Sequence, residues 1–381
     1  MEKTKKRLSP WAIVLISGFA LCAVLNILAW ISTGFADFYT DNIFVYISVP
    51  FSFLTSLLPF SFGEILIIIG ILIVLIGIPT EIIFLIKYRK NSEKRSRLLK
   101  GSALFLCWVI FYILLTETLN CFIQYHCTTF SDKYYPEYAE QAAQGYTVEQ
   151  LTELCDYIID NANELSEQVE RDENGEIIIP ENAAELAGEY VRALADDYPR
   201  FGGWYTVPKD IVCSRTMSKL NLQGIYFPFT MEANINKDMR PSRKPVTMCH
   251  ELAHTKGFIL EDEAGFISYL ACINSGDALF MYSGYLCALN YSVNQLFRYV
   301  SEEEKIRIAQ KIGRTVYYDN TFLTEEYKAS LEKDKIIKTE TAAKVSDKAM
   351  TASLKLNGVS DGKQSYSRIV DLLLEYYYYV M

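Results

Sequence analysis

Apolar residues fall along this chain in two regimes: long unbroken runs as far as about residue 124, then periodic, half-polar segments to the end. Residues 11–33 contain no charge over a length that crosses a hydrocarbon core. Two more runs, 65–86 and 101–124, carry one acid each, Glu81 and Glu117. The pattern predicts three transmembrane helices. The first run is too long for a cleavable signal peptide, and more spans come after it. A fourth apolar run, 42–62, is interrupted by Pro50 and Pro59, and its aromatic and Ser/Thr content suits an interface, so it is expected to lie in or on the outer leaflet.

Beyond residue 124 the spacing changes to 3 and 4. Thr147 and Gln150 form a capping-box pattern ahead of Leu151, Leu154, Cys155, Ile158 and Ile159, which make one buried helix face. Asn174 and Gly175 break that helix. A second is expected over 183–198, stopped by Pro199. In 222–236 the alternation of Ile225, Phe227 and Phe229 predicts a strand, and Pro228 makes it an edge strand. Helical patterns continue at 267–272, 279–299 and 301–321, then a charge-rich solvated helix over 324–350, a turn over 353–362 and a last helix over 367–380. The expected architecture is membrane-anchored and mainly α: a membrane region, 1–124, and a mostly helical domain with a small β edge, 125–381.

Charge orients this arrangement. Lys3, Lys5, Lys6 and Arg7 precede the first span, and seven basic residues against Glu93 fill the loop 87–100, so both are expected on the cytoplasmic side. An even number of crossings then separates them, and the third span exports the remainder of the chain. The expected localisation is the cell membrane, multi-pass, with the C-terminal domain extracytoplasmic. The first 100 residues hold 11 basic and 6 acidic side chains, leaving an acidic remainder without a basic stripe, which excludes nucleic acid as an expected partner. The nine cysteines contain no CxxC pair and predict no disulfide framework; Cys249 and Cys272 sit in apolar helical contexts as free thiols.

The chemistry concentrates in 248–266, MCHELAHTKGFILEDEAGF, which holds two of the three histidines. His250 and His254 are one helical turn apart and reach one cation from one face, with Glu251 between them as general base for a metal-activated water. A third ligand is needed just beyond. Gly257 ends the helix by accepting the left-handed conformation, so the chain turns back to Glu261 or Glu263, with Asp262 a shorter third choice. Glu261 is favoured because it opens an E-x-x-A arrangement at the head of the next helix, while Glu263 suits a role orienting a histidine. An oxyanion donor is left unassigned among Tyr282, Tyr285 and Arg368. His126 reads as an interfacial residue. The strand at 222–236 offers an edge along which a peptide substrate can pair.

The blocks PFTMEANIN, P-x-T-M-C-HELAH-x-x-GF and EDEAGFISYLAC, with LPFSFGE and GKQSYSRIVDLLLEYY elsewhere, resemble an uncharacterised domain-of-unknown-function family of bacterial membrane proteins related to gluzincin-type zinc peptidases. The resemblance implies a zincin-like domain, a bound Zn2+, His250 and His254 as ligands and Glu251 as base. It also maps the third ligand of the E-x-x-A-N or E-x-x-A-D motif onto Glu261; the last position here is Gly265, a departure from the motif. The expected function is a membrane-bound zinc metallopeptidase acting on a peptide or protein. The alternatives are a non-catalytic zinc-binding envelope sensor or scaffold and, with only three spans, a transporter.

Overall fold

The computed structural model describes residues 9–138, 145–333, 339–357 and 368–381, and it is mainly helical. Helix α1 spans Pro10–Ile31, started by Pro10 and by the Ser9 hydroxyl, which accepts from the Ala12 amide at 3.2 Å. After it come α2, Thr33–Asn42, and α3, Phe44–Ser56. Helix α4 covers Phe62–Lys87, and α5 runs from Ser92 through a π-helical turn at Thr118–Phe122 to His126. Helices α1, α4 and α5 are long and apolar enough to cross a membrane. The basic segment expected as a loop over 87–100 is mostly the first turns of α5, because Asn91 caps the Lys94 amide at 3.0 Å and the next lysines and arginines favour helix.

The apolar segment 42–62 forms α3 over Phe44–Ser56. It is helical through Pro50, and its Ser/Thr stripe of Ser48, Ser52 and Thr55 is buried while Tyr46, Leu54 and Leu57 are exposed. The stripe faces protein. Thr55 donates to the Thr230 carbonyl at 3.1 Å, and the hydroxyls of Ser56 and Thr206 meet at 2.8 Å. The start of α4 is the joint between the long apolar helices and the rest of the fold. Glu232, fully buried, accepts there from the amides of Phe62 (3.0 Å) and Gly63 (2.8 Å) and pairs with Lys209 at 2.7 Å. Glu64 in turn accepts from the amides of Val212 and Cys213. A carboxylate at a helix N-terminus meets donors that the helix itself leaves unpaired. Glu232→Ala is therefore expected to lower stability by about 3–5 kcal/mol, because it strands a buried lysine and two amides; Glu232→Gln should lose less, and thermal melts in detergent compare the two.

The helical domain opens with α6, Val148–Ser166, whose capping box is complete in both directions: Gln150 N to Thr147 Oγ1 at 3.2 Å and Thr147 N to Gln150 Oε1 at 2.9 Å. Helix α7 is Ala183–Ala193, tightening into a 3-10 turn at Leu194–Asp196. Three short strands form one sheet in the order β1-β3-β2: β1 is Lys209–Ile211, β2 Gly224–Phe227 and β3 Glu232–Asn236. The single edge strand expected over 222–236 is thus a hairpin. Pro228 lies in its turn, closed at Met231 with φ 55°. Of the hairpin's two strands only β2 is an edge; β3, buried throughout, is central and pairs parallel with β1.

Helices α8 (Lys244–Thr255), α9 (Glu261–Ile273) and α10 (Ala278–Leu296) form the core with α6, α7 and the sheet. Helix α8 is buried on nearly every side, which is why its sequence lacks a solvated face. Helix α11 is Glu302–Lys311, capped by Ser301, and the helix expected to continue to 321 is interrupted at Gly313, whose amide bonds Asn163 at 2.8 Å. Helices α12 (Glu325–Glu332), α13 (Thr339–Leu356) and α14 (Arg368–Tyr379) complete the chain. Helix α13 occupies the start of the turn expected over 353–362, Asn357 is in a turn, and 358–362 lie outside the described residues. All nine cysteines are free, with Cys249 and Cys272 buried in this core.

Candidate metal centre

Helix α8 carries the two histidines. Pro245 sits in its first turn, and Gly257, at φ 86°, ends it with its amide on the His254 carbonyl at 3.0 Å. Glycine is required there twice over: an L side chain avoids that φ, and a Cβ would meet Thr40 Cγ2 at 2.7 Å, where α2 docks. A short corner later α9 begins with Glu261. The ligand atoms of His250, His254 and Glu261 lie within 4.8 Å of one another. His250 Nε2 is 3.1 Å and His254 Nε2 3.9 Å from Glu261 Oε2, and the two rings are 4.7 Å apart and nearly perpendicular. His254 Nδ1 lies 2.7 Å from the Phe258 carbonyl, an acceptor only, so Nδ1 carries the proton and the Nε2 lone pair faces the cluster.

The site is buried and its charges are mutually dependent. Burial pulls the His250 imidazolium down, but the hydrogen bond and charge of Glu261 overcome it and hold it above the usual histidine range. Burial, with the neighbouring His250 charge, lowers His254 to about 4. Burial and the Glu261 charge raise Glu251 to about 8. Two imidazoles and a carboxylate whose ligand atoms converge are a donor set that a divalent cation satisfies. The residues fit zinc: two imidazole nitrogens, one carboxylate oxygen, and no fourth protein group within the cluster among the described residues.

Glu251 points at the sheet. Gly224 of β2 lies so close that a methyl group there would collide with the Glu251 carboxylate. The Tyr226 backbone amide donates to that carboxylate. The register explains how. Asn236 N bonds Gln223 O at 2.8 Å and Gly224 pairs with Ile235, so the backbone groups of Gly224 and Tyr226 alternate outward, away from β3. Gly224→Val should displace the Glu251 carboxylate without touching a ligand. Any hydrolysis the site performs is expected to fall about 10²-fold with metal content unchanged, read by kinetics beside metal analysis.

The other candidates separate from this cluster. Glu263 orients no histidine: it turns to the Phe130 amide at 2.6 Å, and burial raises its carboxyl to about 8. Asp262 pairs with Arg368 at 2.7 Å, which takes both out of the site. Tyr282 donates to Asp319 at 2.9 Å, and the Tyr285 hydroxyl meets that of Tyr157, so neither faces the ligands. Tyr291, further along α10, carries no signal in the sequence that separates it from the other tyrosines, yet the Glu261 charge reaches its hydroxyl. Gly265 is packed against Ile369 of α14, where a Cβ would come within 2.8 Å of Cδ1 and require that side chain to shift, and the Phe258 carbonyl is the group that orients His254. His126 lies against Trp30 with ring centroids 4.5 Å apart and planes tilted by 48°, where two of the long apolar helices end.

No curated protein and no solved structure matches this chain. One family profile does, over residues 39–374, a range that takes in two of the long apolar helices, the Glu232 joint and the buried cluster of His250, Glu251, His254 and Glu261. The chain belongs to the family described as Protein of unknown function (DUF3810).

Proposed function

We propose that the protein is a membrane-bound, zinc-dependent metallopeptidase with a zincin-like domain, holding its metal on His250, His254 and Glu261. The observation that carries the reading is the convergence of those three ligand atoms within 4.8 Å, with a further acid, Glu251, beside them but outside the set. Structural zinc sites are closed by four protein ligands, whereas catalytic ones keep a position open. That difference favours the peptidase over a non-catalytic zinc-binding sensor or scaffold.

When bound, zinc supplies Lewis acidity, which activates a water and polarises a carbonyl. Everything else comes from the chain. Glu251, in its ionised form, would take a proton from the attacking water and return it to the leaving amine. Strand β2 presents an open edge beside Glu251, and an extended peptide pairing with it lies across the ligand cluster. The hairpin turn that carries this edge rests on the membrane helices: Tyr112 donates to the Phe229 carbonyl at 2.7 Å and Asn120 to that of Pro228 at 2.7 Å. Substrate therefore approaches at the membrane surface.

The test is metal analysis of the full chain purified in detergent, paired with cleavage of a peptide library. About one equivalent of zinc and metal-dependent cleavage are expected. Zinc retained without cleavage of any peptide would favour the sensor, and a protein that takes up no zinc would end both readings.

A further inference from the structure

One basic side chain near the ligand cluster has no acid to meet it. Arg243 stands seven residues before His250, which returns it to nearly the same face of the helix about 10 Å away along the axis. Its Nε and Nη1 are shielded from solvent and have no hydrogen-bond partner, and no carboxylate lies within ion-pair distance of it among the described residues. Arg240, three residues earlier, is treated differently. Its guanidinium pairs with Glu176 at 3.2 Å and stacks over Tyr318 at 4.1 Å. A buried donor left unmet costs about 1–3 kcal/mol, and more when charged, so a fold that pairs one arginine and leaves its neighbour bare has a use for the bare one.

The wall opposite Arg243 is α10. Ser283 fixes it there, accepting from the Val246 amide at 3.0 Å and donating to the Ser242 carbonyl at 2.6 Å. Cys287 and Tyr291 lie one and two turns further on the same face. Gly284 packs against Cys272, so α10 runs back along α9 and brings Tyr291 toward Glu261 at the head of α9. The charges of Arg243 and Glu261 both act on the Tyr291 hydroxyl. Tyr291 thus lies within reach of both the bare guanidinium and the Glu261 end of the ligand cluster. Arg243, Tyr291, His250 and Glu261 are all partly exposed, at the margin of the buried Glu251 and His254.

We propose that Arg243 is the specificity residue beside this ligand cluster and binds a carboxylate of the substrate, which, resting on the peptidase reading, lies within about three residues of the scissile bond, since an extended residue spans about 3.5 Å. A guanidinium matches a carboxylate in two parallel hydrogen bonds. The carboxylate is either the C-terminus of a short peptide or an acidic side chain, and the two are separable by experiment.

The full chain is prepared in detergent as Glu251→Gln, which prevents turnover, with Arg243 intact, Arg243→Gln or Arg243→Lys. Binding of acetyl-tetraalanine, of its C-terminal amide, and of that amide with one alanine replaced by aspartate is measured by calorimetry. The free acid or the aspartyl amide is expected to bind at least about tenfold more tightly than the plain amide, a margin that corresponds to one charge-assisted contact. Which of them gains tells whether the C-terminus or a side chain is read. Arg243→Gln should erase the preference, Arg243→Lys should keep part of it, and neither should melt below the parent, since a structural arginine would. Equal binding of all three peptides, no binding of any, or a preference that survives Arg243→Gln overturns the proposal. Zinc content and cleavage by the unsubstituted protein are read separately: a metal-free, inactive sample sinks the peptidase reading, while the assignment of Arg243 stands or falls on the acid-to-amide ratio.

Discussion

Glu251→Gln is expected to keep about one equivalent of zinc while peptide hydrolysis falls by about 10²–10⁴-fold, the usual contribution of a positioned general base. The substitution preserves shape, so the amide still fits beneath Gly224. It also removes a group that strains the metal-free fold. The folded-state Glu251 carboxyl is raised to about 8 by burial, against an ordinary value of 4.5. The folded protein therefore holds a proton that the unfolded chain releases: the contribution is full below pH 4.5 and is lost as pH rises to about 8. His254 runs the other way. Lowered to about 4 by burial, it contributes stability above its ordinary 6.5 that is lost as pH falls toward 4. Between pH 6.5 and 8 a comparison of the two proteins reads Glu251 together with the His250 imidazolium that its charge helps to hold, while Glu263 is common to both. Metal-free Glu251→Gln should gain on its parent by up to ~2 kcal/mol across that window, measured by denaturation with chelator present. A constant difference across the window would contradict the burial of Glu251.

His254→Ala has the other large effect. Losing one of three ligands, and with it the imidazole fixed by the Phe258 carbonyl, should weaken zinc binding by more than about 10²-fold, beyond what loss of an orienting partner alone costs. Hydrolysis should vanish with the metal. The fold should survive with a loss of about 1–3 kcal/mol, because the substitution leaves one buried carbonyl unmet. Equilibrium dialysis against zinc, with circular dichroism on the same samples, separates loss of metal from loss of structure. Full zinc retention by His254→Ala would remove the assigned centre.

Local patterns carried most of the architecture. Spans α1, α4 and α5 arise from uninterrupted apolar runs, and the start of α6 from Thr147 and Gln150, whose side chains each reach the other's backbone amide. The spacing of His250, His254 and Gly257 placed the ligands on one face and ended the helix, because both are matters of a single turn. Glu261 was separable from Glu263 only in part. Both stand in the first turn of α9, and the choice depends on which way that helix leaves the corner.

Other features were illegible because they depend on partners far away in sequence. The composition of 42–62 suits an interface, and nothing local tells that one face of its helix, the stripe of Ser48, Ser52 and Thr55, packs by Thr206, Thr230 and Lys209, 150 or more residues on. The 222–236 segment alternates as one strand would, and only pairing to β1 decides that its second half is central. Gly224 carries no local signal, since its requirement is set by the Glu251 side chain arriving from another element.

The sequence by itself determined the helices, their caps, the membrane-length runs and the ligand-bearing turn, since each depends on neighbours within a few residues. The tertiary structure alone decided which acid joins the two histidines, that Glu251 lies under the edge of β2, that Glu232 ties the domain to α4, and that Arg243 is left without an acid. Those are outcomes of chain segments meeting in space, where burial and the geometry of contact select among side chains that are chemically alike.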